Sequence, residues 1–299
     1  MEALRLVLTN ENPKGRQDSE PCEETAELVD PAFTEAHVRQ MKLKLARYFD
    51  ALKKEFPYTQ LGQILTCCNC VCPDSSHSEF RRSESTEAQI RREVDQLVTQ
   101  WLENFNAFLT RTLVGVLTAA AIAGFTEVFV AWTKRCRLNA SPDRYTRRFR
   151  DWASVYVDQL VASMNEAIRN TINTVVENGL RNKDSAKDIL EDVRNHLDEE
   201  QLTDDGRLML AANEARTAAN HGMLEAGIAL GATFKRWRTR PNRYRCKVCL
   251  ANEAQGKIPI NEKFASGHTM PRAHPNCRCY LDFPAPSCKR IATALDESA

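Results

Sequence analysis

Two pairs of potential metal ligands lie near the C-terminal end of this 299-residue sequence. Cys246 and Cys249 form a C-x2-C pair, His274 and Cys277 form an H-x2-C pair, and Cys279 follows two residues later. Two such pairs on tight turns can supply the four ligands of a tetrahedral zinc ion and leave no position open for a substrate. The pattern therefore predicts a structural metal site rather than a catalytic one.

The spacing leaves the fourth ligand open. The H-x2-C pattern favours Cys277, while Cys279 is close enough in sequence to compete with it or replace it. The alternative to a metal site is a set of unrelated buried cysteines, since a free cysteine behaves as a small hydrophobic residue. The neighbours argue against that alternative because they are polar, unlike the residues of a core. These neighbours are Lys247, Asn252, Arg272, Asn276 and Arg278.

A basic segment leads directly into the first ligand pair. Residues 235 to 247 contain seven Lys or Arg residues and no acid. Such a segment can hold nucleic-acid phosphates without reading the base sequence, and its aromatic side chains can stack on bases. The alternative is a basic strand that is solvated or that docks on an acidic protein surface. The residues predicted to contact DNA are Lys235, Arg236, Trp237, Arg238, Arg240, Arg243, Tyr244 and Arg245.

The composition describes a polar, helix-rich chain that can bury a core. The 41 basic and 40 acidic residues leave a formal charge of +1, and 42% of the residues are hydrophobic, which excludes a fully disordered chain. The 11 cysteines are an odd number in a long chain whose first residues do not resemble a signal peptide. We therefore expect a reducing compartment rather than a disulfide scaffold.

The first third of the chain is predicted to contain a leader, a helix and a loop. Residues 9 to 29 lack periodicity, and we expect residues 1 to 29 to form a flexible leader. Asp30 and Pro31 can start an amphipathic helix that ends before Pro57, and residues 57 to 86 read as a long polar connection. A cysteine cluster in this connection could be a second metal clip or a lipidation site, and its crowded spacing favours an exposed thiol-rich loop. The cluster consists of Cys67, Cys68, Cys70 and Cys72.

An apolar segment at residues 112 to 131 follows a helical stripe that starts at Thr86. It approaches the roughly 20-residue length of a membrane span. Glu127 lies inside it, and its alanines and threonines contribute little to membrane insertion. A buried bundle helix is therefore favoured over a membrane span. Small residues that would let a neighbouring helix approach are Gly115, Ala119, Ala123 and Gly124.

The second half of the chain is predicted to contain three more helices and a small amount of β-structure. The helices are expected at about 142 to 179, 185 to 197 and 205 to 230, and the strands at 233 to 239 and 258 to 260. Asn213, Glu214, Arg216 and Asn220 lie on the third helix, where inward-facing polar groups would need partners. Two of these helices are predicted to start at Ser141-Pro142 and at Ser185 with Asp188. Gly179 and Gly231 are predicted to end the first and the third helix.

The expected fold class is mainly α, with a long helical bundle or arm followed by a small zinc-stabilised α+β domain. We expect a flexible leader at 1 to 29 and a helical domain at 30 to 200 with its cysteine-rich loop at 57 to 86. A zinc-binding domain at 201 to 285 and a tail at 286 to 299 complete the predicted division.

Five segments between residues 213 and 279 resemble, in the same order, the C-terminal domain of phage minor head proteins, the Mu F-like head morphogenesis family. The segments are 214 to 222, 235 to 239, 246 to 249, 256 to 260 and 274 to 279. The closing His-Pro-Asn-Cys-Arg-Cys together with the upstream C-x2-C pair is the most specific part of the resemblance.

The resemblance implies a virion component at the portal vertex that acts in procapsid assembly or genome delivery. It implies portal and capsid or scaffold proteins as partners, with packaged DNA nearby, and a place in the capsid interior after assembly in the host cytoplasm. It also implies structural zinc held by Cys246, Cys249, His274 and either Cys277 or Cys279.

A metal-dependent nuclease or toxin-type enzyme domain is the alternative function. His268, His274 and Asn276 superficially resemble residues of zinc-finger-like nucleases, and His221 lies on the preceding helix. His274 is already assigned as a metal ligand, and no spare set of carboxylate and histidine residues has useful spacing. We therefore predict no enzymatic activity and no catalytic residues.

Overall fold

The computed structural model describes residues 31 to 67, 84 to 199, 204 to 240 and 246 to 297. The chain is mainly helical and has a three-stranded sheet near its C-terminal end, which confirms the predicted fold class. The helices are α1 Pro31–Lys54, α2 Tyr58–Cys67, α3 Glu84–Arg135, α4 Thr146–Asn182, α5 Ala186–Glu199, α6 Asp204–Ala229, α7 Lys247–Ala254 and α8 Cys288–Glu297. The strands are β1 Phe234–Arg238, β2 Lys257–Pro259 and β3 Tyr280–Asp282.

Local sequence signals determine several helix ends. The main-chain N–H of Asp188 donates to Ser185 Oγ at 3.2 Å, and the N–H of Ser185 donates to Asp188 Oδ2 at 3.2 Å, which is the predicted capping box of α5. The Ser185 hydroxyl also donates to Asp188 Oδ2 at 2.6 Å, and this bond, followed by the bond from the Ser185 N–H, lowers the pKa of Asp188. Gly231 follows α6 with a φ of +75°, a conformation that favours glycine after a helix.

Three segments differ from their predictions. The connection predicted at 57 to 86 contains α2, whose Leu61 and Leu65 are buried but form too short a stripe to stand out in the sequence. The helix predicted to end at Gly179 continues to Asn182, and the absence of a Cβ at Gly179 leaves room for the Ile189 side chain. The segment predicted as a tail forms α8.

The predicted stripe from Thr86 and the apolar segment at 112 to 131 belong to a single helix, α3, of 52 residues. Among the described residues, this helix alone has the length and hydropathy of a membrane span, and 56% of its most apolar 18-residue window is buried. The core helix of a globular bundle has the same properties.

The described residues form two compact units, and neither unit is one continuous stretch of chain. Of the described residues, the first unit combines those within 45 to 111 with those within 158 to 207, and the second combines 31 to 44 and 112 to 157 with those within 208 to 297. The division therefore differs from the predicted boundary near residue 200. In the first unit, the Phe56 and Trp101 rings pack edge to face with centroids 4.9 Å apart.

The second unit contains the sheet and the closest helix packing. The strand order is β2-β1-β3, and both pairs are antiparallel. The helices α3 and α6 approach so closely that a Cβ on Gly124 would lie 2.1 Å from the carbonyl oxygen of Ala219. A Cβ on Gly222 would lie 1.8 Å from the carbonyl oxygen of Ala121. The predicted close approach is therefore confirmed at Gly124.

The C-terminal helix is tied to the second unit by covalent and apolar contacts. Ile291 and Leu295 of α8 are buried, and a disulfide joins Cys136, just after α3, to Cys288 at the start of α8. The two cysteines are 152 residues apart, and the sequence gives no signal that pairs them. The sequence predicts reduced cysteines, and the structure differs from this prediction at Cys136 and Cys288, which are joined by a disulfide.

We predict that Gly222→Ala destabilises the protein by about 3 kcal/mol, because the new methyl group overlaps the α3 backbone, which cannot move aside cheaply. Gly115→Ala is the matched control, since Gly115 lies in α3 with nothing within 4 Å of an added Cβ. This control should stabilise the protein by about 1 kcal/mol through helix propensity. Urea denaturation measures both changes, and equal effects of the two substitutions would contradict the close packing.

Candidate metal centre

The ligand residues predicted from the sequence converge in space. The ligand atoms of Cys246, Cys249 and His274 lie within 4.8 Å of one another, and those of Cys249, Cys277 and Cys279 do the same. Cys249 belongs to both groups, so the five residues form one cluster, hereafter the metal cluster. The cluster could hold a metal ion, and its cysteines lie next to one another in space.

The C-x2-C pair is positioned by the start of α7. Cys246 caps this helix, and the main-chain N–H of Cys249 donates to Cys246 Sγ at 3.3 Å. The first turn of α7 therefore holds the two cysteine sulfurs of this pair close together.

The H-x2-C pair lies on a tight turn that requires a special backbone conformation. Asn276 has a φ of +57°, in the left-handed region that asparagine tolerates better than most residues. The N–H of Cys277 donates to the carbonyl oxygen of His274 at 3.3 Å. His274 Nδ1 lies 2.7 Å from the carbonyl oxygen of Pro275, which leaves Nε2 to face Cys249 Sγ at 3.1 Å. Such a bond orients a histidine that binds a metal.

Buried polar residues of α6 hold this turn and the strand that follows it. Asn213 Oδ1 accepts the main-chain N–H of Asn276 at 2.7 Å. Asn220 donates to the carbonyl oxygen of Cys279 at 3.3 Å and accepts the N–H of Leu281 at 2.9 Å. The predicted need of these inward-facing side chains for partners is confirmed, although the sequence does not reveal which partners they find.

Glu214 forms the second link between α6 and the closing segment. Its side chain is only 2% exposed and pairs with Arg272. The hydroxyl of Tyr156 donates to Glu214 Oε2 at 2.6 Å. Burial, followed by the charge of Glu214, raises the pKa of Tyr156. The buried carboxylate therefore has both a cation and a hydrogen-bond donor, as its desolvation requires.

The sulfur positions bear on the choice of the fourth ligand. Cys249 Sγ and Cys277 Sγ are 3.7 Å apart. Two sulfurs bound to one tetrahedral zinc ion at about 2.3 Å would be separated by about 3.8 Å. Hydrogen bonds from the Cys249 and Cys279 thiols lower the pKa of Cys277, and its hydrogen bond with His274 raises the pKa of that histidine to about 9. Cys277 therefore lies within hydrogen-bond reach of both neighbouring thiols and of His274.

The predicted DNA-contact segment divides between two faces of β1. Lys235 is 0% exposed and donates from Nζ to the carbonyl oxygen of Thr269 at 2.7 Å, while Trp237 is 1% exposed and packs on Phe264. The prediction of DNA contact is wrong for Lys235 and Trp237, because alternate residues of a strand point to opposite faces and these two point inward.

The remaining residues of that segment have different surroundings. Arg236 and Arg238 are half-buried on the other face, and both bond to Asp282 Oδ2, at 2.6 and 3.1 Å. Arg240 is half-buried beside the Tyr280 ring. Arg243, Tyr244 and Arg245 lie outside the described residues, as do Cys68, Cys70, Cys72 and the side chain of Cys67.

His268 and His221, the other two histidines considered for catalysis, do not join the metal cluster. His268 is exposed, and its Nδ1 lies 3.0 Å from the carbonyl oxygen of Ser266. His221 stacks on Trp152 with ring centroids 4.1 Å apart, and burial, followed by the charge of Arg148, lowers its pKa to about 4. His221 is therefore a packed neutral side chain at pH 7.

Comparison with known proteins gives no match. No protein-family model, no curated protein and no solved structure matches this chain. The assignment of a function therefore depends on the metal cluster, its supports and the sequence motifs that form it.

We predict that Asn213→Ala lowers metal affinity about 10- to 100-fold, because the Asn276 turn loses the acceptor that positions the H-x2-C pair. Competition with a chromogenic chelator measures this affinity on the full-length protein.

Asn165→Ala is the matched control, since Asn165 donates to Asn106 Oδ1 at 2.7 Å in the first unit and does not contact the cluster. This control should lose stability without losing metal affinity. Equal metal affinity in the two variants would show that Asn213 contributes to folding alone.

Proposed function

We propose that this protein is a phage minor head protein that acts in procapsid assembly or genome delivery at the portal vertex. The observation that carries the proposal is the metal cluster. Its ligands come from the C-x2-C pair and the closing hexapeptide, which are the most specific parts of the resemblance to the Mu F-like head morphogenesis family. Cys249 and His274 are 25 positions apart in the sequence, and their side chains lie 3.1 Å apart.

Zinc is the proposed metal, and its role is structural. Three cysteine sulfurs and one imidazole nitrogen are a donor set that zinc prefers, and four protein ligands leave no open position for catalysis. The proposed ligands are Cys246, Cys249, His274 and Cys277. The 3.7 Å separation of Cys249 Sγ and Cys277 Sγ is compatible with two sulfurs bound to one zinc ion, and Cys277 is therefore the proposed fourth ligand.

The small size of the sheet explains why a metal would be useful. The three strands have five, three and three residues, and such short strands are marginally stable without additional support. A zinc ion would join the start of α7 to the segment before β3, and its binding free energy would add to folding. The domain would then present a rigid surface to its partners.

The proposed partners are the portal protein and capsid or scaffold proteins. The proposed location is the interior of the capsid beside the portal, after assembly in the host cytoplasm. The mainly helical region ahead of the zinc-binding segment agrees with this role, because members of the resembled family are mostly helical in that region.

Substitution of single cysteines tests the metal assignment. We predict about one zinc ion per wild-type chain, a large loss of zinc in Cys277→Ser and retention of zinc in Cys279→Ser, because Cys277 is the fourth ligand of the proposed tetrahedral set. Elemental analysis of the purified full-length variants measures the zinc content. The reverse pattern would assign Cys279, and no zinc in the wild type would remove the metal from the proposal.

Analysis of purified particles tests the assembly role. We expect quantitative mass spectrometry of phage particles to find a few copies of this chain per particle. Protease treatment of intact particles should leave it uncleaved, because the capsid shell protects it. A chain absent from particles at every stage of assembly would overturn the proposed function.

A further inference from the structure

Three arginines of the second unit lie near the metal cluster and form no ion pair with a described residue. Nearby ion pairs use other arginines, since Arg236 and Arg238 bond to Asp282 and Arg272 bonds to Glu214. Among the described residues, no carboxylate lies within ion-pair distance of the three remaining guanidinium groups. These belong to Arg216, Arg240 and Arg278, hereafter the arginine triad.

The sheet register brings two members of the triad together. β1 and β3 are antiparallel, and their last pair at this end is Arg238 with Tyr280. Arg240 and Arg278 each lie two residues beyond that pair, so both follow the same end of the sheet. The Arg240 guanidinium lies 6.0 Å from the centre of the Tyr280 ring, which places it over β3.

The third member comes from α6. Arg216 lies one turn before Asn220, whose side chain bonds the main chain of Cys279 and Leu281 on the outer edge of β3. This contact places Arg216 beside the segment that carries Arg278. The Nη1 atom of Arg216 is buried and has no hydrogen-bond partner among the described residues.

The triad combines like charges in a partly buried place. Burial, followed by the charges of Arg278 and Arg240, lowers the pKa of Arg216. The negative charges of Cys277 and of the exposed Glu35 act in the opposite direction and raise the pKa of Arg216. A zinc ion with three thiolates and a neutral imidazole carries a single net negative charge, so zinc binding would not neutralise all three arginines.

We propose that the arginine triad binds the phosphodiester backbone of nucleic acid. Guanidinium groups present forked donors that match phosphate oxygens, and an unpaired donor such as Arg216 Nη1 gains a partner when an anion binds. The triad continues the basic strand past Arg238, where Asp282 no longer neutralises it. A group of three positive charges fits a polyanion and carries no means of reading base sequence.

This inference goes beyond the assembly role and does not depend on it. It also replaces Lys235 and Trp237, which are buried, as the residues expected to meet DNA. Contact with DNA would then use Arg216 from α6, Arg240 from the segment after β1 and Arg278 from the segment before β3.

The test compares two triple variants of the full-length protein by fluorescence anisotropy with labelled duplex DNA. One variant replaces Arg216, Arg240 and Arg278 with Gln. The matched control replaces three exposed arginines elsewhere, Arg47, Arg111 and Arg150, and thus removes the same charge. We expect the slope of log affinity against log salt to become shallower by about two to three in the triad variant, and to change much less in the control.

Three results would overturn the proposal. These are no DNA binding by the wild-type protein, equal effects of the two triple variants, and binding to anionic lipid vesicles in place of DNA. A variant with Lys in place of all three arginines should keep most of the salt dependence of DNA binding, since contacts with phosphate need the positive charge.

Zinc content and circular dichroism monitor the fold of each variant. If the triple variant loses its zinc or its helix content, the single variants Arg240→Gln and Arg278→Gln replace it. Each should reduce the salt slope by about one, and unchanged slopes in both would overturn the proposal. Because zinc content is measured independently, a result that overturns DNA binding by the arginine triad leaves the metal assignment intact.

Discussion

Hydrogen bonds from the inward face of α6 hold the segment that closes the metal cluster. Asn213 binds the turn between His274 and Cys277, and Asn220 binds the main chain on either side of Tyr280. An asparagine side chain carries one donor group and one acceptor, so Asn220 can satisfy an exposed strand edge as a neighbouring strand would. The short strand β3 therefore has β1 on one edge and α6 on the other.

The buried Glu214 makes this support specific to one arrangement. A carboxylate that is 2% exposed is costly unless a cation and donors surround it, and Arg272 and Tyr156 provide both. Arg272 comes from the closing segment and Tyr156 from α4, so the carboxylate joins three parts of the second unit. A shifted closing segment would leave a buried charge without its partner.

The packing of α6 against α3 fixes the position of these polar groups. Gly124 and Gly222 allow the two helix backbones to touch, which larger residues would prevent. The apolar part of α3 thus serves as the surface on which α6 lies. The disulfide between Cys136 and Cys288 adds a covalent link at the end of the same helix, so α3 supports both α6 and α8.

The sequence by itself determined the helices with long apolar stripes, the β1 strand, the capping box of α5 and the five metal-cluster residues. These features depend on residues close together in the chain, where periodicity and spacing are visible. Only the tertiary structure decided that Lys235 and Trp237 point inward, that Cys136 pairs with Cys288, and that α8 is packed. It also decided which partners satisfy Asn213, Glu214 and Asn220. Those outcomes depend on contacts between residues far apart in the chain, which a one-dimensional pattern does not encode.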